Sequence, residues 1–349
     1  MSLQLTRPGP SLAAVATPRR ATGRPAWLLA ALLVAGAASV ASVALGLAAV
    51  SWSDIGRGLT GDDATLGAAA VARRVPRTAL ALLVGGALGL AGAVMQGVTR
   101  NPLADPAMLG ITNGASLAVV SGIAFFGLSS PTAYIAVAIT GAAVTAVVVW
   151  TIGSLGRGGA TPLKLALAGA ATAAALSSLV SAVLLPRLDV MNTFRFWQVG
   201  GVGGATWDRI GLVLPFLLAG TGGCLAMARG LNALALGDDV AAGLGLHVGR
   251  TRLAAGAAAV VLCGAATAIA GPIAFVGLVV PHLCRLLVGV DHRWVLPLAI
   301  VVGGALLTSA DVAGRLVARP DEVEVGIVTA LIGAPVLIGI VRRTRMRAL

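Results

Sequence analysis

Three arginines in this sequence have the charge and the position to bind an acidic partner. Arg74 and Arg77 stand just before a long uncharged stretch, and Arg315 stands at the end of another. A guanidinium group can bind a carboxylate through two parallel hydrogen bonds, which sets orientation as well as attraction. The same arginines could instead anchor helix ends to lipid phosphates, a common role of arginine at a membrane surface. Spacing alone leaves both interpretations open.

A second polar segment, residues 229–252, combines charge with small apolar side chains. Its central residues are Gly237, Asp238, Asp239, Val240, Ala241, Ala242, Gly243, Leu244 and Gly245. Either aspartate could cap a short helix that presents Val240, Ala241 and Leu244 on one face. Such a face could contact a partner protein, or it could lie on lipid headgroups as an amphipathic turn.

No residue pattern supports an enzyme. Lys164 is the only lysine, and its surroundings lack the glycine-rich loop and the Lys-Ser/Thr pair that cradle phosphates. The spacings His-x-x-x-His, Cys-x-x-Cys and Gly-x-Ser-x-Gly are missing too. Cys224, Cys263 and Cys284 are expected to pack as small hydrophobic residues. We therefore expect no catalytic residue, no metal site and no cofactor held by this chain.

The elements that position these polar segments are predicted to be membrane-spanning helices. Of the 349 residues, 58% are hydrophobic and 11% are charged, and the mean hydropathy is +0.95. A spanning helix needs about 20 apolar residues. The charges, together with breaks at residues 129–131 and 270–272 inside two longer uncharged stretches, bound ten such segments. The predicted spans are 27–50, 78–99, 107–128, 131–154, 164–185, 210–228, 253–270, 273–290, 294–313 and 325–341. The predicted fold is therefore an all-α polytopic membrane protein.

The distribution of charge predicts that both termini are cytoplasmic. With that orientation, sixteen of the 25 basic residues and four of the 13 acidic residues face the cytoplasm. This bias follows the positive-inside rule, so the net charge of +12 requires no nucleic-acid partner. Residues 1–26 are expected to form a disordered basic tail, residues 27–343 a single membrane domain, and residues 344–349 a cytoplasmic tail.

Two motifs resemble the FecCD family, the permease subunits of ABC importers for iron-siderophore complexes, haem and vitamin B12. The first is Arg100-Asn101-Pro102-Leu103-Ala104-Asp105-Pro106, where two prolines stop a helix. The second runs from Ala270 to Arg285. The chain departs from the family in its long basic tail and at residues 335–338, where an aromatic residue often follows the proline.

Both motifs are expected to have structural roles. Asn101, Pro102, Asp105 and Pro106 predict a rigid corner on the cytoplasmic face, between the second and third spans. Gly271, Pro272 and Pro281 predict close helix packing or a kink. His282 could be a gate or could carry a proton, but a packed histidine that bonds a backbone carbonyl is the favoured interpretation.

The resemblance implies a ten-helix permease of a type II ABC importer, paired with itself or with a similar permease. Two cytosolic ATPases would bind ATP and magnesium, and residues 229–252 would form the coupling helix that contacts them. Arg74, Arg77 and Arg315 would receive acidic residues of an extracytoplasmic binding protein. The fifth and tenth spans would line the path, with residues 156–162 near its cytoplasmic gate.

The substrate class depends on one segment. Residues 192–201, read as an outer loop rich in aromatic side chains, resemble siderophore permeases more than those for haem or vitamin B12. Ferric siderophore is the predicted substrate, and haem and vitamin B12 are the alternatives. An ion-coupled secondary transporter and a non-transporting scaffold are alternatives of other classes. The near absence of ionisable residues within the spans weighs against ion coupling.

Overall fold

The computed structural model describes residues 23–61, 63–155 and 161–346. Within these ranges it contains fourteen α-helices and no strand. The helices are α1 (Arg24–Ala44), α2 (Trp52–Leu59), α3 (Leu66–Thr99), α4 (Ile111–Phe126), α5 (Pro131–Ser154), α6 (Pro162–Leu184), α7 (Leu188–Val199), α8 (Trp207–Ala226), α9 (Ala228–Ala235), α10 (Asp238–Gly243), α11 (Val248–Ala270), α12 (Val276–Val288), α13 (His292–Val317) and α14 (Val325–Met346). A 3-10 turn, Pro106–Leu109, precedes α4.

Each of the ten predicted spans coincides with one of these helices, and the all-α membrane class is confirmed. Seven helices in the described ranges are long and apolar enough to cross a membrane, namely α1, α3, α5, α6, α8, α11 and α13. The other three predicted spans are shorter apolar helices, α4, α12 and the Val325–Gly339 part of α14. A helix of 13 residues such as α12 extends only about 20 Å.

Several predicted boundaries are wrong. Helix α3 begins at Leu66, twelve residues before the predicted start, so Arg74 and Arg77 lie inside a helix. Residues 188–199 form helix α7, although most of this segment was expected to be part of a loop. The predicted tails fall largely outside the described residues, and helix α1 already begins at Arg24 while α14 continues to Met346.

Glycine contacts place α3 at the centre of the bundle. A Cβ atom added at Gly92 would lie 2.0 Å from the carbonyl oxygen of Gly277 in α12. One added at Gly85 would lie 2.3 Å from the carbonyl oxygen of Gly303 in α13. Membrane helices use such small residues because backbones that touch gain van der Waals contact. The close crossings therefore bury most of α3.

The bundle has two polar ends, which we call the coupling end and the arginine end. The coupling end contains Arg24, Arg100, helices α9 and α10, and Asp291, which lies 3.7 Å from Arg24. The arginine end contains helix α2, Arg74, Arg77 and Arg315. Segments that the sequence assigns to one side of the membrane lie together at one end. Which end faces the cytoplasm remains a prediction.

Candidate functional site

At the arginine end, three arginines bind carbonyl groups of the last turn of α1 and of the residues that follow it. Arg315 donates to the Ser42 carbonyl at 2.9 Å, the Leu45 carbonyl at 3.0 Å and the Ser42 hydroxyl at 2.7 Å. Arg74 donates to the carbonyls of Val43, Ala44 and Ala48, and Arg319 donates to that of Gly46. The last carbonyls of a helix have no partner within the helix and carry partial negative charge. The arginines donate hydrogen bonds to these carbonyls and place positive charge beside their partial negative charge.

Asp311 lies between two arginines in the same cluster. Its carboxylate accepts hydrogen bonds from Arg77 Nε at 3.1 Å and Nη2 at 2.8 Å, and it lies 3.1 Å from Arg315 Nη2. Arg77 also pairs with Glu322 at 2.7 Å. Asp311 is only 2% exposed, so these charges stabilise one another away from water.

This geometry changes the interpretation of the three candidate docking residues. Arg74 is 7% exposed and Arg315 is 2% exposed, so neither presents a free guanidinium group at the surface. The exposure assumed for them is wrong, because the end of α1 covers both. Arg77 is less enclosed, with 13% of its side chain exposed. Docking itself remains a prediction.

The coupling end contains the predicted short helix, with different details. The residue that precedes α10 is Gly237, with φ +112°, and its first helical residues are Asp238 and Asp239, so neither aspartate caps it. Val240 is 51% exposed and Leu244 is 66% exposed, whereas Ala241 is fully buried. The prediction that Ala241 shares the exposed face is wrong, because successive helical residues point about 100° apart. Gly245, with φ +83°, then turns the chain toward α11.

Asp238 is bound by two arginines from distant parts of the chain. Arg252, in the first turns of α11, donates from Nη1 to Oδ2 at 3.0 Å and from Nη2 to Oδ1 at 2.9 Å. Arg100, the residue that ends α3, donates from Nη2 to the same Oδ1 atom. The predicted coupling segment is therefore fixed to α3 and α11 at one carboxylate.

The Asn101 to Pro106 segment forms a compact corner. The Asn101 side chain accepts a hydrogen bond from the Leu103 amide at 3.0 Å, and Asp105 accepts one from the Ala107 amide at 2.8 Å. Pro106 is the first residue of the 3-10 turn, and Pro102 is exposed. Asn101 and Asp105 line a cavity of about 450 Å³ between α3, α5, α6 and α11, whose walls are otherwise mostly apolar.

The second motif holds backbones in close contact. Gly271 has φ +70°, and a Cβ atom there would lie 2.2 Å from the Trp197 carbonyl oxygen. The Pro272 carbonyl lies against Gly200, and Pro281 is buried within α12. His282 is half-buried, and its ring makes no hydrogen bond within the described residues, so the expected bond to a carbonyl is not observed.

The sequence interpretation missed several functional partners. Asp311 and Arg315 are four residues apart, which on a helix predicts mutual contact. That signal could have identified this pair on α13. Nothing in the local sequence pairs Arg100 or Arg252 with Asp238. Within residues 23–61, 63–155 and 161–346, no group of three or more His, Cys, Asp or Glu side chains could hold a metal ion.

The fold is a bundle of apolar helices with a short exposed helix at one polar end, the architecture of a multi-span membrane protein. The model of the FecCD transport family matches residues 31–343, and the chain belongs to that family.

Named relatives and a solved structure support this membership. The ferric enterobactin permease of Escherichia coli is 51% identical over 271 residues, covering 77% of this chain and 80% of that protein. The iron(3+)-hydroxamate permease of Bacillus subtilis is 44% identical over 272 residues, covering 78% and 71%. A solved structure described as an inward-facing metal-chelate type ABC transporter has a TM-score of 0.80 at 28% identity, covering 91% of this chain and 99% of that one. The hemin permease of Yersinia pestis is 38% identical, covering 78% of this chain and 82% of that protein. The cobalamin permease of Halobacterium salinarum is also 38% identical, covering 79% of this chain and 74% of that protein.

Proposed function

We propose that this chain is the permease subunit of an ATP-driven ABC importer that carries ferric siderophores into the cell. The observation that carries the proposal is the 51% identity to a ferric enterobactin permease over 77% of the chain. Haem and vitamin B12 are weaker candidates, because the relatives named for them are 38% identical. The substrate is a chelate delivered from outside, so the iron is cargo and the chain needs no cofactor of its own.

Helix α10 would be the contact with the ATPase subunits. Val240 and Leu244 are four residues apart and both exposed, so they form a small apolar knob at the coupling end. Such a knob fits a groove in a cytosolic protein. We assign that groove to the ATPase subunits, two of which would themselves bind ATP and magnesium. This arrangement requires both termini of the chain to be cytoplasmic, in agreement with the charge bias of the sequence.

A second permease subunit, identical or similar, would complete the path. Helices α6 and α14 present large exposed apolar residues, including Leu163, Leu167, Leu331 and Ile338. Together with the same helices of the second subunit, these faces would enclose the central path. The predicted cytoplasmic gate, residues 156–162, lies mostly outside the described residues.

The extracytoplasmic binding protein would dock at the arginine end. Arg77 and its exposed neighbour Arg73 offer the accessible positive charge, while Arg74 and Arg315 would act by holding the end of α1 in place. Replacing the exposed Arg73 with Glu should weaken binding of the binding protein, and this change leaves the pairs of Arg77 with Asp311 and Glu322 in place. Replacing the exposed Arg57 on α2 with Glu is the matched control. Equal affinity of the two variants would contradict docking at the surface around Arg73 and Arg77.

Uptake by the assembled transporter tests the whole proposal. The chain is purified with its genomic neighbour ATPase and placed in liposomes with ATP inside and the binding protein outside. We expect uptake of ferric siderophore, less of haem or vitamin B12, and no uptake when the ATPase is omitted. A variant with Val240 and Leu244 both changed to Ser should fold normally but lose the ATPase on purification. Uptake driven by an ion gradient without any ATPase would instead establish a secondary transporter.

A further inference from the structure

The carboxylate of Asp238 joins the exposed helix α10 to two membrane spans. We propose that Asp238 is a positioning residue that makes α10, α3 and α11 move as one body when the ATPase displaces α10. This inference rests on the proposed function, because it assumes that α10 receives the motion of an ATPase. Beyond the proposed function, it identifies α3 and α11 as the spans that receive the motion and Asp238 as the side chain that transmits it.

The Arg252 side chain makes this connection difficult to break. Arg252 is 8% exposed, and its Nε atom is buried without a hydrogen-bond partner. Its two Nη atoms depend on Asp238, at 3.0 and 2.9 Å. If α10 moved away alone, a buried guanidinium group would lose its counter-charge, which is strongly unfavourable. Movement of α10 together with α11 avoids that loss.

Arg100 extends the connection to α3 at a conformational cost. It is one of two non-glycine residues with positive φ in the described ranges, at φ +51° and ψ +30°. Glycine is the usual residue in this left-handed conformation at the end of a helix. Arginine there is strained, but its side chain reaches Asp238 from the C-cap position of α3. An arginine also interacts favourably with the negative end of the α3 dipole.

The two spans that meet at Asp238 are packed in the interior of the bundle. The apolar window of α3 is 83% buried and that of α11 is 61% buried, compared with 17% for α6. Helix α3 also touches α12 and α13 through Gly92 and Gly85. Displacement at Asp238 would therefore reach the packed centre directly, without passing through a peripheral helix.

An aspartate outside the predicted ATPase contact provides a matched control. Asp208 lies in the first turn of α8, as Asp238 lies in the first turn of α10; it is exposed and makes no hydrogen bond or ion pair with the described residues. Asp238→Asn and Asp208→Asn therefore remove one charge each from the first turn of a helix. Only Asp238→Asn weakens the connection to Arg252 and Arg100.

The test measures ATP hydrolysis and uptake of radioactive ferric enterobactin in the same liposomes, with the complete transporter. For Asp238→Asn we expect uptake to fall roughly tenfold while ATP hydrolysis stays within about twofold of the wild type, the order of effect known for linked sites. Asp208→Asn should transport normally, and Asp238→Glu should recover part of the uptake. Co-purified ATPase and the melting temperature should match the wild type in all three variants.

Two results would overturn the inference. If Asp238→Asn and Asp208→Asn transported equally well, the connection would not pass on motion. If Asp238→Asn lost the ATPase in parallel with uptake, Asp238 would be a direct contact with the ATPase. A wild-type complex without ATP-driven uptake would be a different failure, that of the proposed function itself.

Discussion

Arg315 holds Ser42 through two hydrogen bonds, one to its carbonyl oxygen at 2.9 Å and one to its hydroxyl at 2.7 Å, across 273 residues of sequence. The Ser42 hydroxyl also lies 2.6 Å from that of Thr78 in α3. A single serine thus connects the first span to α3 and α13. The position of Arg315 is explained by the carbonyls, the hydroxyl and the Asp311 carboxylate that it binds within the bundle.

Replacing Arg315 with Gln should destabilise the folded protein. The change leaves the Leu45 carbonyl and Asp311 with fewer partners in a buried site, and we expect the free energy of unfolding to fall by roughly 2–4 kcal/mol. Thermal unfolding in detergent measures the effect. Arg319→Gln is the control, since Arg319 is exposed and donates one bond, to Gly46. Equal melting temperatures for the two variants would contradict this role of Arg315.

Replacing Gly92 with Ala should force α3 and α12 apart. The added methyl group would lie 2.0 Å from the Gly277 carbonyl oxygen, so the backbones must separate. We expect a loss of roughly 1–3 kcal/mol, the usual effect of overpacking. Gly36→Ala in α1 is the control, because a Cβ atom at Gly36 meets nothing within 4 Å. Unchanged stability of Gly92→Ala in detergent would show that the crossing is looser than described.

Asp54 should remain ionised down to strongly acidic pH. Hydrogen bonds from the Ser51 side chain and amide and from Thr65 lower the pKa of Asp54 to about 2, from its ordinary value of 3.8. A lowered pKa means that the carboxylate stabilises α2 above pH 3.8, and that this contribution is lost as the pH falls through about 2. The pKa of Asp54 is measured by infrared titration of the carboxyl band, as the difference between the spectra of the wild type and the Asp54→Asn variant. A midpoint near 3.8 would contradict the capping geometry.

Glu324 should show the opposite behaviour at the arginine end. Burial raises the pKa of Glu324 above its ordinary value of 4.5, because the charged form loses water. The ionised group therefore costs stability above its raised pKa, and that cost disappears as the pH falls through it. Glu324→Gln should raise the melting temperature at pH near 7.5 more than at pH near 4.5. Glu322→Gln, which removes a surface partner of Arg77, is the control and should not show this pattern.

The sequence by itself determined the spans and the family. Spanning helices depend on local hydrophobicity, so each of ten predicted spans falls on one helix, and two short motifs identified a family that the comparison confirms. Helix α7 and the first turns of α3, residues 66–77, were not predicted. Both segments contain polar residues, which indicate a loop when the neighbouring helices are unknown.

Only the tertiary structure decided which charges are free and which are bound. Arg74 and Arg315 looked exposed because their partners are backbone carbonyls of α1, which carry no sequence signal. Asp238 and Arg100 are 138 residues apart, and their contact exists only because α3 ends and α10 begins at the same side of the bundle. A side chain's type is local, whereas its burial and its partner depend on the packing of distant segments.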